Sequence, residues 1–208
     1  DARELAGRYC VRVAVNVSMH QLLHDGFLAH LDGALRAAGL YPQELEIELT
    51  ESVLASDAER SLALVTELRK RGVAVAIDDF GTGYSSLAYL QRFPADVIKV
   101  DRSFVTALGH GGETIISAAL SIGRSFGMKV VIEGVETQMA RRQLSALGAT
   151  LFQGYLFARP MPPAQIDQWF LGSAFAAAPS QVPEDAGGVD AAVGASVDAA
   201  VAAVTAHR

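Results

Sequence analysis

Six short runs rich in β-branched residues alternate with longer amphipathic stretches: VRVAVNV (11–17), LEIELT (45–50), VAVAID (73–78), DVIKVD (96–101), KVVIEGV (129–135) and ATLFQG (149–154). No other feature constrains the chain as tightly. A strand that leads through a helix to another strand of the same sheet crosses over right-handedly and builds a parallel sheet. Two intervening helices carry capping-box signatures, Ser18 with Gln21 and Ser56 with Glu59. Six such units fit an open doubly wound sheet or most of a barrel.

The polar residues decide between the two. Counting by twos along each run places Asn16, Glu48, Asp78, Lys99, Glu133 and Gln153 at the carboxyl ends of the strands. In LEIELT the leucines and the isoleucine take one face and Glu48 the other. An open sheet gathers its ligand groups at one switch point, whereas a barrel draws one or two from nearly every strand to a single mouth. The expected fold is α/β, a TIM-barrel-like (β/α) barrel. That plan has eight strands, so two are expected before residue 1, and a start on Asp1 points to a chain cut from a longer one.

With 208 residues, half of them hydrophobic, the chain has material for one sizeable core. A net charge of −6 leaves no basic footprint, which excludes a nucleic-acid polymer as partner. A small anionic ligand remains possible if metal ions reverse the local field. The lone Cys10 forms no intrachain disulfide and fits a reducing, cytoplasmic setting. No apolar run reaches the roughly 20 residues of a membrane span. Beyond Gly172 the composition turns to Ala, Val, Gly and Asp, so residues 1–172 are expected to form the domain. Residues 173–208 read as a low-complexity tail, disordered or weakly helical, with a docking helix over 189–206 as the alternative.

As a chemical kit, the inward set holds four carboxylates (Glu48, Asp78, Asp79, Glu133), two neutral oxygen donors (Asn16, Gln153) and one cation, Lys99. Four carboxylates around one mouth repel unless hard divalent cations sit among them, and all-oxygen ligation points to magnesium or manganese rather than zinc. Adjacent Asp78 and Asp79 allow one carboxylate to bridge two ions while the other binds one, the two-metal arrangement of phosphoryl displacement. Lys99 beside metal-bound water would hold hydroxide and offset developing charge. Its alternative is a Schiff-base nucleophile, which needs a lowered amine pKa.

Other residues carry plainer alternatives. Asn16-Val17-Ser18 also reads as a helix cap. Glu44, Glu46 and Glu51 read as surface or supporting groups. FGTGYSS (80–86) lacks the GK[ST] of a phosphate loop, and Gly81 and Gly83 suit a tight, movable loop beside the site. HQLLH (20–24) echoes the HExxH zinc motif with Gln21 in the glutamate position, and its histidines read as a solvated helix face.

Together NVS (16–18), ELTES (48–52), DDFGTGYSS (78–86), IKVDRSF (98–104), IEGVET (132–137) and QGYLFARPMP (153–162) resemble, in order, the motifs of the EAL-domain cyclic di-GMP phosphodiesterases. The resemblance covers residues 1 to about 172. It implies a modified TIM barrel that hydrolyses cyclic di-GMP to linear pGpG with two Mg²⁺ or Mn²⁺ ions. Asn16, Glu48 and Asp78 would bind the first ion, with Asp78 bridging and Asp79 binding the second. Glu133 and Lys99 would coordinate or orient the attacking water, with Gln153 bonded around it. Glu51 matches a glutamate that steadies the DDFGTGYSS loop, a loop that also contributes to a homodimer. Asp101 and Glu136 match further site-lining positions.

One departure stands out. The family's Glu-Ala-Leu strand lies well before NVS, and only fifteen residues precede Asn16 here; RELAG (3–7) has the wrong order. A first-metal ligand is therefore expected to be absent, and with it full activity of this polypeptide alone. The competing readings are a receptor that binds cyclic di-GMP without cleaving it, and a Lys99 Schiff-base lyase.

Overall fold

In the computed structural model the six runs become β1 (Val13–Asn16), β2 (Leu45–Thr50), β3 (Ala74–Phe80), β4 (Val97–Val100), β5 (Lys129–Ile132) and β6 (Leu151–Phe152). Residue 6 and residues 11–51, 57–83 and 87–172 are described. RELAG apart from Ala6, together with Cys10, Ser52, Ser56, residues 84–86 and the tail 173–208 with its docking-helix alternative, lies outside them.

The helices between the strands are α1 (Met19–Leu22), α2 (Phe27–Ala38), α3 (Ala58–Lys70), α4 (Leu87–Arg92), α5 (Arg102–Thr106), α6 (Gly112–Phe126), α7 (Gln138–Ala146) and α8 (Pro163–Gly172). The Ser18–Gln21 capping box opens α1 as expected. The second cap differs: α3 starts one residue later, with Asp57 accepting from Arg60 N at 3.3 Å. Asp and Ser are near-equivalent caps, so spacing alone does not choose between neighbours.

All five strand pairings are parallel, and the sheet order is β1-β2-β3-β4-β5-β6. This order separates the two architectures. A doubly wound sheet reverses direction once, whereas right-handed crossovers that always step one strand onward keep every helix on one face and curl the sheet. Six consecutive strands of the barrel plan are therefore present among the described residues.

The two faces have opposite chemistry. On the helix side Ile47, Leu49, Val75, Ile77, Ile98 and Ile132 pack with Leu22, Val65, Leu68, Ile116 and Leu144, all buried. Each such side chain contributes roughly 1.5–3 kcal/mol on burial. The inner face carries Glu46, Glu48, Asp78 and Lys99. In the β2–β3 register Glu46 lies beside Ala74 and Glu48 beside Ala76, so a methyl group leaves room next to each glutamate.

At the opposite end of β4, Asp96 completes the sheet. Its Oδ2 accepts from Val75 N at 3.0 Å, and its Oδ1 accepts from Arg69 at 2.9 Å. Among the described residues no helix is long and apolar enough to cross a membrane.

Candidate functional site

Regular pleating sends adjacent side chains to opposite faces, so Asp78 and Asp79 would ordinarily diverge. The register of β3 on β4 shows why they do not. Ile77 pairs with Ile98 and Phe80 with Val100, leaving Asp78 and Asp79 opposite Lys99 alone. Two residues against one is a β-bulge. Asp79 takes φ 54°, the one positive φ outside glycine among the described residues. Aspartate tolerates this left-handed conformation better than most side chains. The bulge brings carboxylate oxygens of Asp78, Asp79 and Glu133 within 4.8 Å of one another.

Lys99 is the hub of the buried charge. Its Nζ lies 2.8 Å from Glu48 Oε1, 2.8 Å from Glu133 Oε1 and 3.2 Å from Asp78 Oδ1. Burial pushes the ammonium pKa down, but the fields of Glu133, Glu48 and Asp78 outweigh it and raise the value. A Schiff-base nucleophile needs the reverse, so the three carboxylates around the ammonium weigh against the lyase alternative for Lys99. Burial likewise raises Glu48 and Glu133 against the pull of Lys99. For Asp79 burial acts first, reinforced by Asp78 and Asp101.

Three carboxylates against one ammonium leave a surplus of two negative charges, and Asp79 adds a third. Like charges at this spacing repel by roughly 3–4 kcal/mol at an effective dielectric of 20. Glu48 Oε2 is buried with no hydrogen-bond partner, and Asp78 Oδ1 has no hydrogen bond beyond its ion pair. An all-oxygen donor set with surplus negative charge and an orphaned Glu48 oxygen fits a hard divalent cation.

Glu51 serves the loop that follows. It is buried, and its Oε2 accepts from Gly81 N at 3.1 Å and Gly83 N at 3.3 Å. A Cβ on Gly83 would meet the Glu51 carboxylate at 3.2 Å, so a side chain there would crowd the acceptor.

The remaining candidates divide. Asn16 ends β1, is exposed, and lies beside Glu48 in the β1–β2 register. Gln153, just past β6, is half-buried; its N donates to Ile132 O and its O accepts from Val135 N. Asp101 caps α5, accepting from Ser103 N at 2.9 Å. Burial would raise its pKa, but the bonds to Ser103 prevail and lower it. Glu136 is exposed and, with Asp101, Arg102 and Thr137, lines a groove of about 730 Å³. His20 and His24 are exposed, and α1 stops at Leu22, so HQLLH is not one helical face.

Two features went unread in the sequence. Glu46 is buried rather than superficial and pairs with Arg12 at 3.4 Å; its alternation with Glu48 in LEIELT was the available signal. The bulge at Asp78-Asp79 has no signal of its own, because it exists only as a register against β4.

Residues 2–160 match the family model described as EAL domain. The chain is 44% identical over 156 residues to the bifunctional diguanylate cyclase/cyclic di-GMP phosphodiesterase MucR of Pseudomonas aeruginosa, covering 74% of this chain and 23% of MucR. Among solved structures, the PaMucR phosphodiesterase in complex with c-di-GMP is similar with a TM-score of 0.75 and 42% identity, over 79% of this chain and 68% of that one. Klebsiella pneumoniae BlrP1, solved with manganese and cy-diGMP at pH 9.0, is similar with a TM-score of 0.68 and 36% identity, over 74% of this chain and 41% of that one.

Proposed function

This chain belongs to the EAL domain family, and on that premise we propose that it is a phosphodiesterase domain that hydrolyses cyclic di-GMP to linear pGpG. The observation that carries the reading is the bulge that sets Asp78 and Asp79 together opposite Lys99, with Glu133 alongside. A fold alone would not license it, since function resides in the site.

Two Mg²⁺ or Mn²⁺ ions fit these donors: Asn16, Glu48 and Asp78 would hold one, and Asp79, with Asp78 shared, the other. When bound, the ions would neutralise the phosphodiester and lower the pKa of coordinated water. The chain's own groups supply the rest. Glu133 accepts a hydrogen bond from an attacking water and holds it in line. Lys99 keeps its ammonium among Glu48, Asp78 and Glu133 and offsets charge that develops on phosphorus. Gln153 adds a neutral hydrogen bond beside Glu133, and Glu51 holds Gly81 and Gly83 so that the loop stays over the mouth. Asp101 and Glu136, which share a groove, would line the approach. A domain over residues 1–172, a homodimer and a cytoplasmic setting complete the proposal.

The test is turnover of cyclic di-GMP, with Mg²⁺ or Mn²⁺, by the protein purified together with any upstream strands its reading frame encodes, with the product resolved by chromatography. Metal-dependent appearance of pGpG that vanishes in Asp78→Asn supports the enzyme. Metal-dependent binding with no product would make the domain a receptor and overturn the catalytic reading.

A further inference from the structure

We infer that Thr82 is a positioning residue for Asp79, holding the bulge in the one backbone conformation that turns the second aspartate toward Glu133. The inference rests on the two-cation reading of the site and concerns a residue outside the ligand set. Its basis is a pair of bonds to a single atom. The Asp79 carbonyl oxygen accepts from Thr82 Oγ1 at 2.8 Å and from Thr82 N at 3.2 Å.

The orientation of that carbonyl is the ψ angle of Asp79. With φ near 54°, ψ sets the direction in which the chain leaves Asp79, and so how the loop beyond it constrains the residue in the bulge. The backbone bond from Thr82 N closes a turn through Phe80 and Gly81, and Gly81 has φ 96°. A Cβ there would meet the Phe104 ring at 2.8 Å, so the turn has little freedom to relax toward α5. The flanking amides of Gly81 and Gly83 are committed to Glu51 Oε2. Among the described residues of this loop, Thr82 is thus the one that bonds back to Asp79, and Glu51 acts on the residues to either side of it.

The hydroxyl is exposed, and water could satisfy it equally well. An exposed hydrogen bond of this kind adds little to global stability. Its effect falls instead on the choice among local conformations of a residue held in a sparsely populated region. β-Branching further limits the rotamers from which Oγ1 can reach the carbonyl. The hydroxyl should therefore matter for ion affinity and hardly at all for melting.

The experiment is a Mn²⁺ titration of the purified protein, followed by the electron paramagnetic resonance of free Mn²⁺, for wild type, Asp79→Asn, Thr82→Val and Thr82→Ser, with melting temperatures. Expected is a binding class that Asp79→Asn removes and that Thr82→Val weakens roughly fivefold to tenfold, the loss of one hydrogen bond. Melting should stay within about 2 °C of wild type, and Thr82→Ser should restore most of the affinity. Wild-type Mn²⁺ binding by Thr82→Val, with the Asp79-dependent class intact, overturns the role of Thr82 alone. Absence of any Asp79-dependent class in wild type overturns the two-cation reading as well. A Thr82→Val protein that melts far below wild type, with all binding weakened equally and no rescue by serine, assigns the residue to the fold and overturns the inference.

Discussion

Lys99 and Glu133, carried at the ends of neighbouring strands, meet with Nζ 2.8 Å from Oε1 in a largely buried setting. This ammonium is what allows Glu48, Asp78 and Glu133 to share one mouth in the absence of bound cations. Lys99→Met keeps the length of the stem and removes the charge. The variant should lose turnover of cyclic di-GMP by about 100-fold or more. In chelator it should also be destabilised by about 3–5 kcal/mol, the cost of leaving buried charges unpaired. Added Mn²⁺ should raise its melting temperature more than it raises that of wild type. Thermal scans with and without the ion check this; identical melting in chelator would contradict it.

Glu51 ties the loop rather than the ions. Glu51→Ala removes the acceptor of Gly81 N and Gly83 N, both charge-assisted bonds. Turnover should fall roughly 10- to 100-fold while the helix content stays at the wild-type level. Steady-state kinetics with circular dichroism decides the point, and unchanged turnover would show that the loop needs no clamp.

Asp96 lies at the other end of the barrel and separates stability from chemistry. Asp96→Ala strips an acceptor from Val75 N and a partner from Arg69. A loss of about 1–3 kcal/mol in urea unfolding is expected. Turnover per folded molecule should remain at the wild-type level.

Gly134 directly follows Glu133 and has φ 68°, and a Cβ on it would lie 2.3 Å from the Arg102 side chain. Gly134→Ala should therefore cost about 1–3 kcal/mol and lower turnover by displacing Glu133. Retention of both stability and turnover would mean that the backbone at 134 relaxes freely.

The strands were legible because apolar packing on one face and polar side chains on the other leave a period of two around Glu48 and Lys99. The sequential sheet order followed from the same recurrence on every strand. What stayed hidden is non-local. The bulge at Asp79 is a register against β4, the Arg12–Glu46 pair joins the residue before β1 to β2, and Asp96 reaches Val75 across the sheet. Helix starts were legible only to within a residue, as the shift from Ser56 to Asp57 shows. β1 and β6 came out shorter than their apolar runs, since Val11 and Ala149 are buried without belonging to a strand.

The paired-cation centre is tested most directly by anomalous diffraction from crystals of the protein grown with Mn²⁺. The expected result is two peaks about 3.5–4 Å apart, the usual spacing of two-metal phosphoryl-transfer sites. Asp78 should lie between them, Asp79 on the stronger and Asn16 and Glu48 on the weaker, whose ion has one ligand fewer. No peak at Asp78 with millimolar Mn²⁺ present, or a lone peak that Asp79→Asn leaves unchanged, would contradict the account.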